Sequence, residues 1–337
     1  MTAKRSIGVV LAAACGAFAS GRLVAQTPAV EPLHFHHVHL NSVDPKAAAE
    51  YYPKPFVQTA VKTTFNGLEA VKTGNIYLLF TKVSSPPQNE LTGPQTSVWH
   101  FGWNTPNSRQ YDERFRAMGL QIAQMWDAAD GKLVDMSSDT LPGFPTQEQI
   151  LELRAKGTQP TREGGFGYLR GPDGAMIENA QAGTTERFNH VHMYHEHPRC
   201  AMEWYVTHLG AKMPQGRGGA APAPPPSGVN NDCKTTMYSP PTYPSFAKGG
   251  FVREPSGGVT IDDIGILIRP WPGGGLVSTR GKLVDHWALS TSDLSATMAR
   301  LKNEGVKVLE DIHPWGALRA GMIEGPDRIA IEIVEVK

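Results

Sequence analysis

The 337 residues carry 32 Lys+Arg and 32 Asp+Glu, a formal net charge of zero. A nucleic-acid or anionic-membrane binder needs a basic excess, so neither class fits. The length suffices for two ordinary domains with real cores, and 35 Gly with 27 Pro favour short strands and turns over a helical bundle.

The chain opens on a secretory signal, with Lys4 and Arg5 ahead of the short apolar run IGVVLAAACGAFA. Residues 1–25 are expected to be removed, after Ala19 or Ala25. The mature protein is expected to be periplasmic or secreted, with no membrane segment. Next comes FHHVHLNSVDPKAAAEYY, Phe35 to Tyr52. Alternation places His37, His39 and Asn41 on one face of a strand and Val38 and Leu40 on the other, and an amphipathic helix follows. TTFNGLEAV and NIYLLFTKV read as short strands. WHFGWNTPNSRQYDERFRAMGLQI repeats the strand–helix form, and a long segment, Asp127–Glu163, leads to GPDGAMIEN. Within that segment TQEQILELRAKG reads as a helix ending at Gly157, a lid over a cavity. The Gly/Pro-rich stretch Pro214–Gly250 has too few large apolar residues to fold alone. VTIDDIGILIRP, DHWALSTSDLSATMARLKNEGVKV and GPDRIAIEI complete the chain.

These segments are copies of one another. Shifted by 153 positions, Phe35–Tyr52 lands on FNHVHMYHEHPRCAMEWY and pairs His37/His190, His39/His192, Pro45/Pro198 and Tyr52/Tyr205. An offset of 186 pairs His100/His286 and Gly119/Gly305, and one of 154 pairs Asp173/Asp327 and Glu178/Glu332. One strand–helix–strands unit therefore occurs four times, opening on His37, His100, His190 and His286. A lone histidine opening a strand is more often packed or solvated than a ligand. Four at equivalent positions, with two equivalent glutamates in apolar runs, turn the balance toward metal. His34, His36, His195 and His197 read as surface residues, and Trp99, Trp103 and Trp287 as core. Cys200 and Cys233 either pair, for about 4 kcal/mol on the chain-entropy model, or stay free.

The strand-opening xHV or xHW, the helix about eight residues on, and the closing GPDG…IE resemble the vicinal oxygen chelate superfamily. That superfamily includes glyoxalase I, extradiol dioxygenases and bleomycin-resistance proteins. The resemblance implies an α+β fold of four βαβββ modules paired into two cupped-sheet domains, residues 31–184 and 185–337, joined through QAGTTERF. It implies a divalent metal held by His37, His100 and Glu178 in the first domain and by His190, His286 and Glu332 in the second. Two imidazoles and a carboxylate suit Fe, Mn or Zn and leave positions open for a chelating substrate. His39 and His192 share the ligand face, so each is a candidate base or a substitute ligand, and Tyr194 is expected to point into the second cavity. A fourth ligand of the glyoxalase kind is missing, since Leu78 aligns with Glu178. Tyr168 matches the tyrosine of the extradiol signature without its upstream histidine. Met322 replaces that tyrosine in the second copy, where His313 lies upstream.

The implied function is that of a metal-dependent isomerase or lyase acting on a small molecule that chelates the metal through adjacent oxygens. The alternatives are a ring-cleaving dioxygenase and a protein that sequesters a ligand without chemistry. An exported compartment is poor in glutathione, which argues against a glutathione thioester substrate.

Overall fold

The computed structural model describes residues 31–89, 92–126, 133–135, 155–156, 165–181, 183–213, 257–271 and 275–336. The expected signal, most of the lid segment, the Gly/Pro-rich stretch and Cys233 lie outside them. Cys200 is disulfide-bonded. No helix among the described residues is long and apolar enough to cross a membrane.

The first copy comprises β1 (His34–Ser42), α1 (Pro45–Tyr51), β2 (Ala60–Phe65), β3 (Leu68–Thr73) and β4 (Ile76–Lys82). The second holds β5 (Val98–Asn104), α2 (Ser108–Ala117), a short ribbon of β6 (Gln124–Trp126) and β7 (Leu133–Asp135), then β8 (Phe166–Arg170) and β9 (Met176–Ala180). The third has β10 (Arg187–His195), α3 (Pro198–Leu209), β11 (Gly257–Ile261) and β12 (Ile264–Pro270). The fourth has β13 (Val284–Thr291), α4 (Leu294–Asn303), β14 (Lys307–Trp315), β15 (Leu318–Glu324) and β16 (Ala330–Glu335).

Local chemistry explains the boundaries. Asp44 and Asp293 cap α1 and α4 by accepting from the amides of Ala47 and Ala296. TTFNGLEAV, read above as one strand, is a hairpin. Asn66 and Gly67 both take positive φ, 49° and 84°, the turn that suits the twist of paired strands.

The pairing of the copies corrects the expected division at residues 184/185. One eight-stranded sheet runs β14-β15-β16-β13-β1-β4-β3-β2 and so joins the first and fourth copies; a six-stranded sheet, β11-β12-β10-β5-β9-β8, joins the second and third. In each sheet the opening strands of two copies pair antiparallel, β1 with β13 and β10 with β5. Link length gives the reason. Only six residues separate Ala180 from Arg187, which suits two strands of one sheet flanking β5. The links from Lys82 to Val98 and from Pro270 to Val284 hold fifteen and thirteen, enough to pass between sheets. Those two long links run alongside each other, bridging Gln88 to Lys282 and Thr96 to Val277.

One large core runs through the described residues, which form one compact unit. It takes Val38 from β1, Trp103 from β5, Val191 from β10 and Trp287 from β13, and the Phe56 ring stacks on Trp103 at 4.2 Å. The two GPD turns also tie the sheets together. Asp173, at φ 57°, accepts from the Val43 amide, and its counterpart Asp327, at φ 53°, accepts from the Glu196 amide. Asp327 also binds His195 Nδ1 at 2.7 Å, while His195 Nε2 meets the Tyr205 hydroxyl at 3.0 Å. His195 is thus buried, as is His36, against the surface positions expected of both, whereas His34 and His197 are exposed.

Candidate metal centres

Because the sheets join copies two with three and one with four, the histidines and glutamates regroup. On the six-stranded sheet His100 of β5, Glu178 of β9 and His190 of β10 meet, with His192 beside them. Glu178 Oε2 lies 2.8 Å from His100 Nε2 and 2.9 Å from His190 Nε2, and the two nitrogens are 3.3 Å apart. On the eight-stranded sheet His37 of β1 and His286 of β13 meet Glu332 of β16, with His39 adjacent. Glu332 Oε2 stands 3.4 Å from His37 Nε2 and 3.7 Å from His286 Nε2. The expected sets, His37/His100/Glu178 and His190/His286/Glu332, are therefore not the ones brought together. His37 exchanges with His190; each of the six residues still lies in a His-His-Glu cluster.

Register explains the convergence. His192 pairs with His100 and His39 with His286 across the central strands, while Glu178 pairs with Gly102 and Glu332 with Ala288. Paired positions share a sheet face, so each cluster forms on one face. Gly102 has a specific role, because a Cβ there would fall 2.6 Å from His190 Cε1 and 2.9 Å from Glu178 Cβ. Glycine lets the three ligands of the six-stranded sheet close up. Alanine occupies the matching position 288, where the cluster is wider.

The residues fit a divalent ion. A metal held at about 2.1 Å sets its ligand atoms about 3.0–3.4 Å apart in octahedral or tetrahedral array, close to the spacings found. In the eight-stranded cluster His37 Nε2, His286 Nε2 and Glu332 Oε2 are buried, mutually facing and without hydrogen-bond partners. Buried polar atoms of that kind are costly unless something binds them. Neighbours set the tautomers. Asn189 Oδ1 is 2.9 Å from His190 Nδ1 and Asp285 Oδ1 is 2.7 Å from His286 Nδ1, so a proton held on Nδ1 leaves Nε2 for a metal. His36 Nδ1 lies 2.8 Å from His37 Nδ1.

At His100 and His37 the electrostatics favour neutral imidazole ligands. Burial pushes His100 down to about 4 against the opposing pull of Glu178, and burial with His36, His286 and His39 nearby holds His37 well below the usual range. Burial would raise Glu178, but the His100 and His190 hydrogen bonds outweigh it and keep the carboxyl well below its ordinary value. Burial would lower His286, but the Asp285 hydrogen bond and the nearby Glu332 charge raise it, and Asp285 is lowered to about 2 by the same His286 bond against burial.

His192 and His39 stand beside the two clusters. Neither ring nitrogen of His192 has a partner, while His39 Nε2 meets the Thr81 hydroxyl at 2.7 Å and its Nδ1 is unpartnered. Burial first, then a neighbouring imidazole (His100 for His192, His286 for His39), depresses both. The register that sets Glu178 opposite Gly102 sets Leu79 opposite His39 and Leu267 opposite His192, so the fourth-ligand position is Leu79, one residue beyond the expected Leu78. Tyr168 pairs with Glu178 and rests edge-on to His100, and Met322 pairs with Glu332 at the matching place. His313 lies on β14 with an exposed side chain.

Trp99 is buried, as expected, in a second, smaller hydrophobic cluster with Tyr168, Tyr194 and partly buried Trp271 beside the six-stranded centre. It packs edge-on to His192 at 4.9 Å and stacks on Tyr194 at 5.2 Å. A register shift in the β5–β10 pairing turns Trp99 to that face, and the matching shift between β1 and β13 aims Asp285 at His286. Asp285, Asn189 and Gly102 escape a reading by strict alternation. Their signal is an acid or amide directly before a ligand histidine, and a glycine two residues after one.

Residues 187–333 match the family model of the Glyoxalase/Bleomycin resistance protein/Dioxygenase superfamily. Glyoxalase I from Zea mays superposes with a TM-score of 0.55 at 13% identity, over 90% of this chain and 93% of that one. A point mutant of the same maize enzyme gives 0.54 at 13% identity, over 90% and 94%. No curated protein matches in sequence. The family match thus covers residues 187–333. Over the chain as a whole the fold is that of the maize glyoxalase I structures, with four modules in two sheets that carry two His-His-Glu clusters.

Proposed function

We propose that this protein is an exported enzyme that holds a divalent metal at His100, Glu178 and His190, and a second at His37, His286 and Glu332. It acts on a small molecule bearing adjacent oxygens. The observation that carries the reading is the duplicate convergence of two imidazoles and a carboxylate, with the Nε2 and Oε2 atoms of the eight-stranded set left without partners.

An ion held there supplies Lewis-acid stabilisation of charge developing on substrate oxygens. The chain supplies the rest. His192 and His39 are neutral near pH 7 because burial depresses them, so each is ready to take a proton from a carbon beside a bound oxygen. Trp99, Tyr168 and Tyr194, buried and stacked on one another, keep water from the six-stranded centre. A proton moved by one base, with no change in oxidation state, is isomerase or lyase chemistry. The second reading, ring-cleaving oxygenation, is favoured by Tyr168, which lies against His100 where the extradiol signature has its tyrosine.

Metal analysis of protein purified without chelator, followed by a screen of diols, catechols and 2-oxoaldehydes, tests the proposal. Conversion of a diol or oxoaldehyde without oxygen uptake supports the first reading, and oxygen uptake with a catechol supports the second. Tight binding without turnover marks a sequestering protein, and absence of stoichiometric metal refutes the reading. Export is tested by N-terminal sequencing of protein from the periplasm, which should begin after Ala19 or Ala25.

A further inference from the structure

Arg269 on β12 pairs in register with Tyr194 on β10 and so shares the face that carries His190 and His192. It stands two residues, about 7 Å along the strand, beyond the level of His192. Its Nε is buried with no hydrogen-bond partner, and no ion pair joins it to a described carboxylate. The eight-stranded centre differs. Arg280 at its mouth is neutralised by Asp285 at 3.3 Å and Glu310 at 2.7 Å. A guanidinium partly withdrawn from water and left unpaired is costly, and a planar donor of this shape matches a carboxylate. Tyr194, level with Arg269, lies 5.1 Å from Trp271 and 5.2 Å from Trp99, which itself packs against His192. An apolar or aromatic body fits that wall.

We propose that the six-stranded centre takes an anionic substrate: adjacent oxygens toward His100, Glu178 and His190, a flat apolar body against Trp99 and Tyr194, and a carboxylate paired with Arg269. This rests on the metal reading above and specifies its substrate class.

The test uses catechol and 3,4-dihydroxybenzoate, which differ only by the carboxylate. Both are titrated calorimetrically into metal-loaded full-length protein carrying Glu332→Gln, so that binding reports the six-stranded centre. The carboxylate is expected to tighten binding about tenfold, the worth of one charge-assisted pair. Adding Arg269→Gln should abolish that preference and leave catechol binding unchanged, and Arg269→Lys should restore part of it. Equal binding of the two probes before the arginine is changed overturns the proposal. So does an equal loss of both probes in Arg269→Gln, which marks the arginine as merely structural. Metal content, measured on the same samples, separates the two ideas: a loaded centre that ignores the carboxylate refutes the anion site alone, and an empty centre refutes both.

Discussion

Replacing Gly102 with alanine tests whether the closeness of the six-stranded cluster comes from one missing methyl group. The new Cβ would lie 2.6 Å from His190 Cε1 and 2.9 Å from both Glu178 Cβ and the Glu178 carbonyl oxygen. Two of those three contacts are fixed to the backbone of β9, so His190 must swing or the strands must part. The other sheet shows the relaxed outcome, since Ala288 occupies the equivalent place. There the histidine–glutamate separations are 3.4 and 3.7 Å, against 2.9 and 2.8 Å beside Gly102. Gly102→Ala should therefore open the cluster by roughly half to one ångström and cost about 1–3 kcal/mol of apo stability through overpacking. Metal affinity at this centre should fall about ten- to a hundred-fold, the range seen when ligand placement is disturbed. Cobalt(II) titration followed by visible absorption measures the affinity, and thermal unfolding of chelated protein measures the stability. Unchanged values in both assays would refute the steric account.

Glu178→Gln and Glu332→Gln should each remove one metal from a total of two per chain, read by elemental analysis, and the double variant should bind none. Asp285→Asn should weaken only the eight-stranded centre, by about ten- to a hundred-fold, because the carboxylate that orients His286 is lost; two-site metal titration separates the centres. Asp327→Ala should cost about 1–3 kcal/mol in chemical denaturation by stranding buried His195 and the Glu196 amide. Asp173→Ala, which frees the Val43 amide without a histidine, should cost less.

Much of the architecture was legible in the chain because repetition is a sequence property. The ungapped match of Phe35–Tyr52 to Phe188–Tyr205 gives four units, the alternation around His37 gives a strand with a ligand face, and the GPD turns locate Glu178 and Glu332. These signals are local, carried by spacing within one copy. The choice of partner was not legible. Four equivalent copies offer equivalent edges, and any pairing satisfies the pattern within a copy. Only the antiparallel union of β1 with β13 and of β10 with β5, set by one short link and two long ones, placed His37 with His286 and His190 with His100. Register irregularities decided the rest, turning Trp99 and Asp285 toward the centres, and the aim of a side chain past such a shift depends on the strand across from it. Which residues are able to bind is a matter of side-chain chemistry, present in the chain itself. Which of them bind together was decided by tertiary structure, because that is the geometry of strands far apart in the chain.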